Sequence, residues 1–270
     1  MSEQRIEAVL GNLAARGISQ LLVCDPRSIQ YLTGAYVEPG ERFLGLLLRA
    51  GAQRPTLFLN RLFAAPADIE ADVVPFDDTD DPLALLAERC DADAVLGCDK
   101  NLPARFLIPL MERKAASGFA LASDAVDDAR AIKDAQERAL MRAASAANDA
   151  GMARFRNLVR EGITERAVAA QLEEIYQSLD AQGHSFSPIV SFGANAADPH
   201  HEPDGTRLKR GDAVLFDVGC RMDEYCADMT RTFFFGEADD EQRRVYEIVR
   251  QANEAGKAAV IVVNKWDLIE

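Results

Sequence analysis

The chain has 270 residues, of which 48% are hydrophobic and 27% are charged, and its formal net charge is −14. This balance is typical of a folded globular protein, and the length suffices for two domains with separate cores. The negative charge excludes nucleic acid as a partner, because phosphates would be repelled and no basic stripe offsets the excess. No stretch is apolar over the length that a membrane span needs, so no membrane association is expected.

The cysteines and the N-terminus indicate the cellular compartment. The cysteines lie at five positions without CxxC spacing: Cys24, Cys90, Cys98, Cys220 and Cys226. Their odd number and spacing favour neither a disulfide framework nor a zinc site. The first residues form an amphipathic helix pattern with Ile6, Leu10 and Leu13 on one side, and they lack the apolar core of a signal peptide. We therefore expect reduced thiols and a cytoplasmic protein.

The first part of the chain alternates strand and helix patterns. Strands are predicted at 17–25, 42–50, 54–60, 72–76 and 93–99, and helices at 82–90 and 103–116. Gly51, Ala52 and Gln53 separate the second and third of these strands, which predicts a hairpin. A mixture of strands and helices over residues 1–125 predicts an α/β domain.

A second domain is predicted over residues 126–260, with residues 261–270 as an atypical tail. The boundary is placed in the acidic stretch 123–137. Asp134 and Glu137 have the spacing of a capping box, so a helix is expected to begin there and run toward Leu158. Gly162 breaks that helix, and a second helix follows with Val168 on its apolar face.

Two predicted strands in the second domain carry aspartates that face each other. The strands cover 213–219 and 224–235, and a tight hairpin centred between Met222 and Asp223 would place Asp217 opposite Asp228. Directly opposed side chains have Cβ atoms roughly 4.5–5.5 Å apart. Two carboxylates that close in an apolar setting share a proton or hold a cation such as Mn, Co or Zn. From the spacing alone, an equal alternative to a metal or proton site is that both aspartates are turn or edge residues of a solvated hairpin.

The histidines of the second domain lie in loops. His200 and His201 follow Pro199 in a loop rich in Asn, Asp, Pro and Gly. A neutral imidazole can ligate a metal, bind substrate or move a proton near neutral pH. The alternative for each histidine is an ordinary surface residue. His184 has no neighbouring residue in the sequence that favours a functional role over this alternative.

Three runs of this region resemble one family of enzymes. They are PIVSFGANAADPHH (188–201), LKRGDAVLFDVG (208–219) and EYCADMTRTFFFG (224–236). Together they resemble the pita-bread metallopeptidases of the Xaa-Pro dipeptidase and aminopeptidase P type, to which creatinase is related. Residues 28–36 resemble the creatinase-like N-terminal domain, and residues 129–151 resemble the first helix of the catalytic domain. The resemblance implies an α/β creatinase-like domain followed by an α+β pita-bread catalytic domain.

The resemblance also implies roles for individual residues. Asp217 and Asp228 would be metal ligands, with Asp228 bridging two divalent ions (Mn, Co or Zn). His200 would help to bind substrate and move protons. A two-metal site of this kind activates a water molecule and polarises the scissile carbonyl. The implied substrates are dipeptides or peptides with proline in the second position, and relatives are often homodimers.

The sequence also departs from the family pattern. The remaining family ligands, one histidine and two glutamates, lie beyond the second strand together with a further catalytic histidine. No histidine follows His201 here. We therefore expect an incomplete, C-terminally truncated catalytic domain with impaired activity.

The last residues add a second departure. The run VIVVNKWDLIE (260–270) resembles the guanine-recognition motif of a GTPase, but the chain has no GxxxxGK[ST] phosphate loop. GTP binding is therefore not expected. We interpret the tail as the result of a truncated or fused reading frame. Two alternatives to the peptidase remain: a metal-independent, creatinase-like C–N hydrolase that uses His200, and an inactive fragment or interaction module.

Overall fold

The structure, a computed structural model, describes residues 2–67 and 69–255. Its contacts divide the chain into two units, Met1–Ile132 and Lys133–Glu270. The tail at 261–270, and with it the resemblance to a GTPase motif, lies outside the described residues. Within those residues, no helix combines the length and the apolar character that crossing a membrane requires.

The division between the units lies between residues 132 and 133, inside the acidic stretch 123–137 and seven residues after the limit given as 125. Residue 125 lies inside a helix, Asp124–Ala131, which belongs to the first unit. Asn12 donates from Nδ2 to the Ala125 carbonyl oxygen over 2.9 Å, and Arg16 forms an ion pair of 2.6 Å with Asp128. These bonds attach the helix to the N-terminal helix, so residues 124–131 belong to the first unit.

The first unit contains a mixed six-stranded sheet in the order β4-β3-β2-β1-β5-β6. Its strands are β1 (Gln20–Val23), β2 (Gly45–Arg49), β3 (Thr56–Asn60), β4 (Asp72–Phe76), β5 (Val95–Cys98) and β6 (Gly118–Leu121). The antiparallel pairing of β2 with β3, with Gly45 opposite Phe58, confirms the predicted hairpin. The five predicted strands are present, whereas β6 was not predicted.

Helices cover both faces of this sheet. They are α1 (Ser2–Ala14), α2 (Pro26–Thr33), α3 (Pro82–Ala87), α4 (Ala104–Glu112) and α5 (Asp124–Ala131). Because side chains alternate along a strand, β1 contributes to two cores. Leu21 and Val23 join the cluster that includes α1, and Leu22 joins the cluster on the other face. The first unit is therefore the α/β domain that the sequence predicts.

The second unit begins with a long helix. Its helices are α6 (Ala135–Phe155), α7 (Glu165–Ala169), α8 (Leu172–Gln177) and α9 (Asp240–Glu254). Asp134 Oδ1 accepts from the Glu137 backbone N–H over 2.9 Å, and Glu137 Oε2 accepts from the Asp134 N–H over 2.8 Å. The predicted capping box is therefore confirmed. The helix predicted after Gly162 is two short helices, α7 and α8.

The sheet of the second unit is antiparallel. Its strands are β7 (Ile189–Phe192), β8 (Ala213–Val218), β9 (Arg221–Met222), β10 (Tyr225–Cys226) and β11 (Met229–Phe234). Three of them form a sheet in the order β11-β8-β7, while β9 and β10 pair at the tip of the hairpin. Val214, Phe216 and Val218 on β8 are fully buried, so this face of the sheet covers the core and the other face carries the remaining β8 side chains.

Candidate functional site

The hairpin that carries the two aspartates turns at Asp223 and Glu224. Met222 lies opposite Tyr225, so the turn has two central residues. Both have positive φ, 44° at Asp223 and 68° at Glu224, as a type I′ turn requires. The predicted centre between Met222 and Asp223 was therefore wrong by one residue. No glycine occupies this turn, and glycine is the residue type that would have marked its centre in the sequence.

This shift changes the partner of Asp217. Thr230, not Asp228, lies directly opposite Asp217 on β11. Thr230 donates from Oγ1 to Asp217 Oδ1 over 2.9 Å. The predicted direct opposition of the two aspartates is therefore wrong, because each residue of β8 faces a residue two positions further along the other strand than predicted.

When the register is continued by one residue beyond β11, the two aspartates nevertheless fall on the same face of the hairpin. The shift in pairing is two residues, which preserves the alternation of faces. Asp217 points away from the buried face with Thr230, and Asp228 precedes Thr230 by two residues. Such diagonal neighbours have Cβ atoms about 7–8 Å apart or somewhat less. Asp217 is half-buried and Asp228 is exposed. Two carboxylates at this separation can hold cations between them.

Gly219 lies opposite Asp228 when the register is continued. Val218 pairs with Met229, and the Ala227 N–H donates to the Cys220 carbonyl oxygen over 2.8 Å. A Cβ atom at Gly219 would overlap the Ala227 carbonyl oxygen and the hydroxyl of Ser185. Only glycine fits between these backbones.

Two buried side chains, Asn148 on α6 and Tyr176 on α8, form a hydrogen-bonded pair that binds the backbone of β8. The Tyr176 hydroxyl donates to Asn148 Oδ1 over 2.5 Å, and Asn148 Nδ2 donates to the Val218 carbonyl oxygen over 3.3 Å. Both side chains are fully buried, and desolvation raises the pKa of Tyr176. Because Val218 follows Asp217, this pair fixes the strand beside the aspartate.

His184 packs against the same tyrosine. Its ring meets the Tyr176 ring edge to face, with centroids 5.4 Å apart. Its Nδ1 is buried, and desolvation lowers the pKa of the imidazole. His184 therefore belongs to the packing of the unit rather than to a fully solvated surface.

The histidine loop, residues 193–206, follows β7 and carries His200 at an exposed position. The His200 backbone N–H donates to Asp198 Oδ1 over 2.9 Å. His201 is turned inward, with 14% of its side chain exposed, and its Nε2 lies 2.7 Å from Glu165 Oε2. The loop therefore separates its two histidines, presenting His200 outward and His201 inward.

Glu165 was missed by the sequence interpretation. It is the first residue of α7, whose N-cap Thr164 accepts from the Ala167 N–H, and its side chain is 0% exposed. From sequence alone, an acidic residue in the first turn of a short helix is expected to be solvated and to stabilise the helix through its dipole. In residues 2–67 and 69–255, Glu165, His201 and Asp204 form the one group of three ligand-type side chains, with candidate atoms within 4.8 Å.

Two family models match the chain. The model of the creatinase/prolidase N-terminal domain matches residues 5–132, and the model of metallopeptidase family M24 matches residues 139–269. The second match includes most of the tail that was predicted to be atypical, and the resemblance of that tail to a GTPase gains no support.

Relatives and solved structures extend the similarity over both units. A putative dipeptidase of Bacillus subtilis, YkvY, is 33% identical over 261 residues, which cover 93% of this chain and 71% of the relative. The crystal structure of a dipeptidase from Pyrococcus horikoshii is 30% identical, with a TM-score of 0.84, and covers 95% of this chain and 72% of that one. A recombinant prolidase from Thermococcus sibiricus is 28% identical, with a TM-score of 0.83, covering 94% and 71%.

These findings agree with the antiparallel hairpin, the capped helix α6 and the α/β first unit. They confirm the resemblance read from the three sequence runs, including its implied peptidase activity at the level of the family. The substrate of such an enzyme is a peptide. The chain therefore belongs to metallopeptidase family M24, with a creatinase-like N-terminal domain followed by a pita-bread catalytic domain.

Proposed function

We propose that this protein is a metal-dependent hydrolase of dipeptides with proline in the second position. Asp217 and Asp228 are the proposed ligands of two divalent ions, and His200 is the proposed catalytic residue. The observation that supports the proposal is the hairpin register, whose continuation by one residue beyond β11 gives the two carboxylates a common face away from the core.

The chemistry of these side chains fits divalent cations. Two carboxylates on one face repel each other, and a cation between them removes that repulsion. Oxygen ligands suit Mn, Co and Zn. Thr230 occupies one lone pair of Asp217 Oδ1, which fixes the carboxylate while leaving acceptor positions on both oxygens. Outer hydrogen bonds of this kind orient metal ligands.

The residues of the chain would divide the work as follows. A metal held by Asp217 and Asp228 would supply a Lewis acid for the scissile carbonyl and would make a water molecule more acidic. Thr230 holds Asp217 in one orientation. The proline nitrogen leaves as a secondary amine and needs a proton when its bond to the carbonyl carbon breaks. The exposed imidazole of His200 can deliver that proton.

Metal binding tests the ligand assignment without any assay of activity. Titration calorimetry with Mn²⁺, Co²⁺ and Zn²⁺ should show binding by the native chain and at least a tenfold weaker affinity in Asp217→Asn and Asp228→Asn, because each removes a ligand charge. Asp223→Asn is the matched control, since Asp223 is exposed on the same hairpin and asparagine tolerates positive φ. Equal binding by all three variants would reject the assignment.

Hydrolysis tests the substrate class. We expect slow release of proline from an Xaa-Pro dipeptide in the presence of Mn²⁺, in keeping with the impaired activity expected above. A chelator should abolish this activity, and the matching Xaa-Ala dipeptide should be cleaved more slowly still. Cleavage of a guanidino compound that is insensitive to the chelator would instead favour the metal-independent hydrolase. Absence of both metal binding and hydrolysis would favour an interaction module.

A further inference from the structure

Glu165 accepts four hydrogen bonds although its side chain is completely buried. Oε1 accepts from the Phe192 backbone N–H over 2.7 Å and from Asn195 Nδ2 over 3.0 Å. Oε2 lies 2.7 Å from His201 Nε2 and accepts from the Asp204 N–H over 3.1 Å. A carboxylate offers about four acceptor positions, so this one is fully occupied.

These bonds span the whole histidine loop. Phe192 precedes the loop, Asn195 lies in its first turn, His201 lies in its middle and Asp204 lies near its end. The loop is therefore hydrogen-bonded at several points to one carboxylate, that of Glu165 on α7. His200 lies between two of the anchored positions and is itself exposed.

The same bonds argue against a metal at this group. Both oxygens of Glu165 already have two donors, and a cation would have to displace them. Asp204 Oδ1 accepts from the Thr206 N–H over 2.7 Å, and this bond contributes most to the lowered pKa of Asp204. The tautomer of His201 with its proton on Nε2 is the one that donates to Glu165 in this pair. The central carboxylate of the group, Glu165, is therefore a satisfied acceptor rather than an open metal ligand.

We propose that Glu165 and His201 are positioning residues, which hold the histidine loop so that His200 is presented to the substrate. The proposal rests on the proposed function of His200. His201 acts through its bond to Glu165 and does not exchange a proton with the substrate.

Two substitutions at His201 separate positioning from chemistry. Glutamine places an amide N–H near the position of Nε2 and can restore the bond to Glu165, whereas leucine cannot. We expect His201→Leu to lower kcat for an Xaa-Pro dipeptide about 10- to 100-fold, with KM less affected, because misplaced catalytic groups cost rates of this order. His201→Gln should keep most of the activity. Equal loss in both variants would show that the imidazole itself takes part, and would overturn the proposal.

Amide hydrogen exchange in the full chain gives a readout without activity. In Glu165→Gln and His201→Leu, the amides of the histidine loop, above all Asp204, should exchange at least tenfold faster, while those of α6 and β8 stay protected. Glu174→Gln, exposed on α8, is the matched control and should change neither. If Glu165→Gln does not fold, His201→Leu decides alone, since His201 is partly exposed.

The two proposals fail in distinguishable ways. Unchanged exchange of the loop amides in the folded variants would overturn the positioning role, whatever the activity. The expected exchange pattern in a native chain that hydrolyses no Xaa-Pro dipeptide with Mn²⁺ would reject the proposed function while supporting the anchoring of the loop by Glu165.

Discussion

Thr230 donates its hydroxyl hydrogen to Asp217 from the position directly across the hairpin, over 2.9 Å. The bond joins the two strands on the face that carries Asp228. It fixes which way the Asp217 carboxylate turns, and this orientation determines what the carboxylate can bind.

Thr230→Val should weaken metal binding without unfolding the protein. Valine matches threonine in shape but lacks the hydroxyl, so Asp217 loses the bond that orients it. Removal of such an outer hydrogen bond typically lowers metal affinity about 10-fold or more. Titration with Mn²⁺ measures the change, and Thr230→Ser, which keeps a hydroxyl, should retain most of the affinity. Equal affinity in the valine and serine variants would contradict the orienting role.

Gly219→Ala should destabilise the second unit. The added Cβ would overlap the Ala227 carbonyl oxygen and the Ser185 hydroxyl, so the hairpin would have to separate there. Overpacking against backbone costs about 3 kcal/mol in the free energy of unfolding. Gly205→Ala in the same unit is the control, since a Cβ atom added at Gly205 would enter open space. Similar urea midpoints for both variants would refute the close approach.

Tyr176→Phe should lower the free energy of unfolding by about 1–3 kcal/mol, because it leaves Asn148 Oδ1 buried without its donor. Chemical denaturation measures the loss. Tyr246→Phe is the control, since Tyr246 is 49% exposed on α9 and its substitution should change stability by less than about 0.5 kcal/mol. A stability equal to that of the native chain would mean that water replaces the hydroxyl.

Stability should fall on acidification in a way that depends on His184. Burial lowers the pKa of this histidine in the folded state from 6.5. The unfolded chain then binds more protons than the folded chain below that pH, so the contribution is complete above 6.5 and is lost as the pH falls. His184→Phe keeps the ring contact with Tyr176 but cannot titrate. Urea denaturation at pH 7 and pH 5 should show a smaller loss in this variant, and an equal loss would contradict the prediction.

Local features of the fold could be predicted from the sequence. The capping box depends on two residues three positions apart, and its spacing alone located the start of α6. The buried strands of the first unit are continuous apolar runs. The strand β6 was missed because it is short, lies at the sheet edge and has no fully buried residue.

The parts of the site that depend on distant contacts could not be predicted. Glu165 looks like a solvated helix acid, and its buried role arises from partners 27 to 39 residues away in the chain. The hairpin register was missed because Asp223 and Glu224 adopt positive φ without a glycine. The assignment of Asp217, Asp228 and His200 came from resemblance, and it remains a proposal.

The two-residue turn at Asp223 and Glu224 sets the pairing of the two strands, and so the separation of Asp217 and Asp228. If one residue were inserted while the turn kept two central residues, the pairing of the strands would shift by one residue and Asp228 would turn toward the core. The distance between the two aspartates therefore depends on the length of the turn. Insertions and deletions at this solvent-exposed tip should be tolerated far less well than substitutions there.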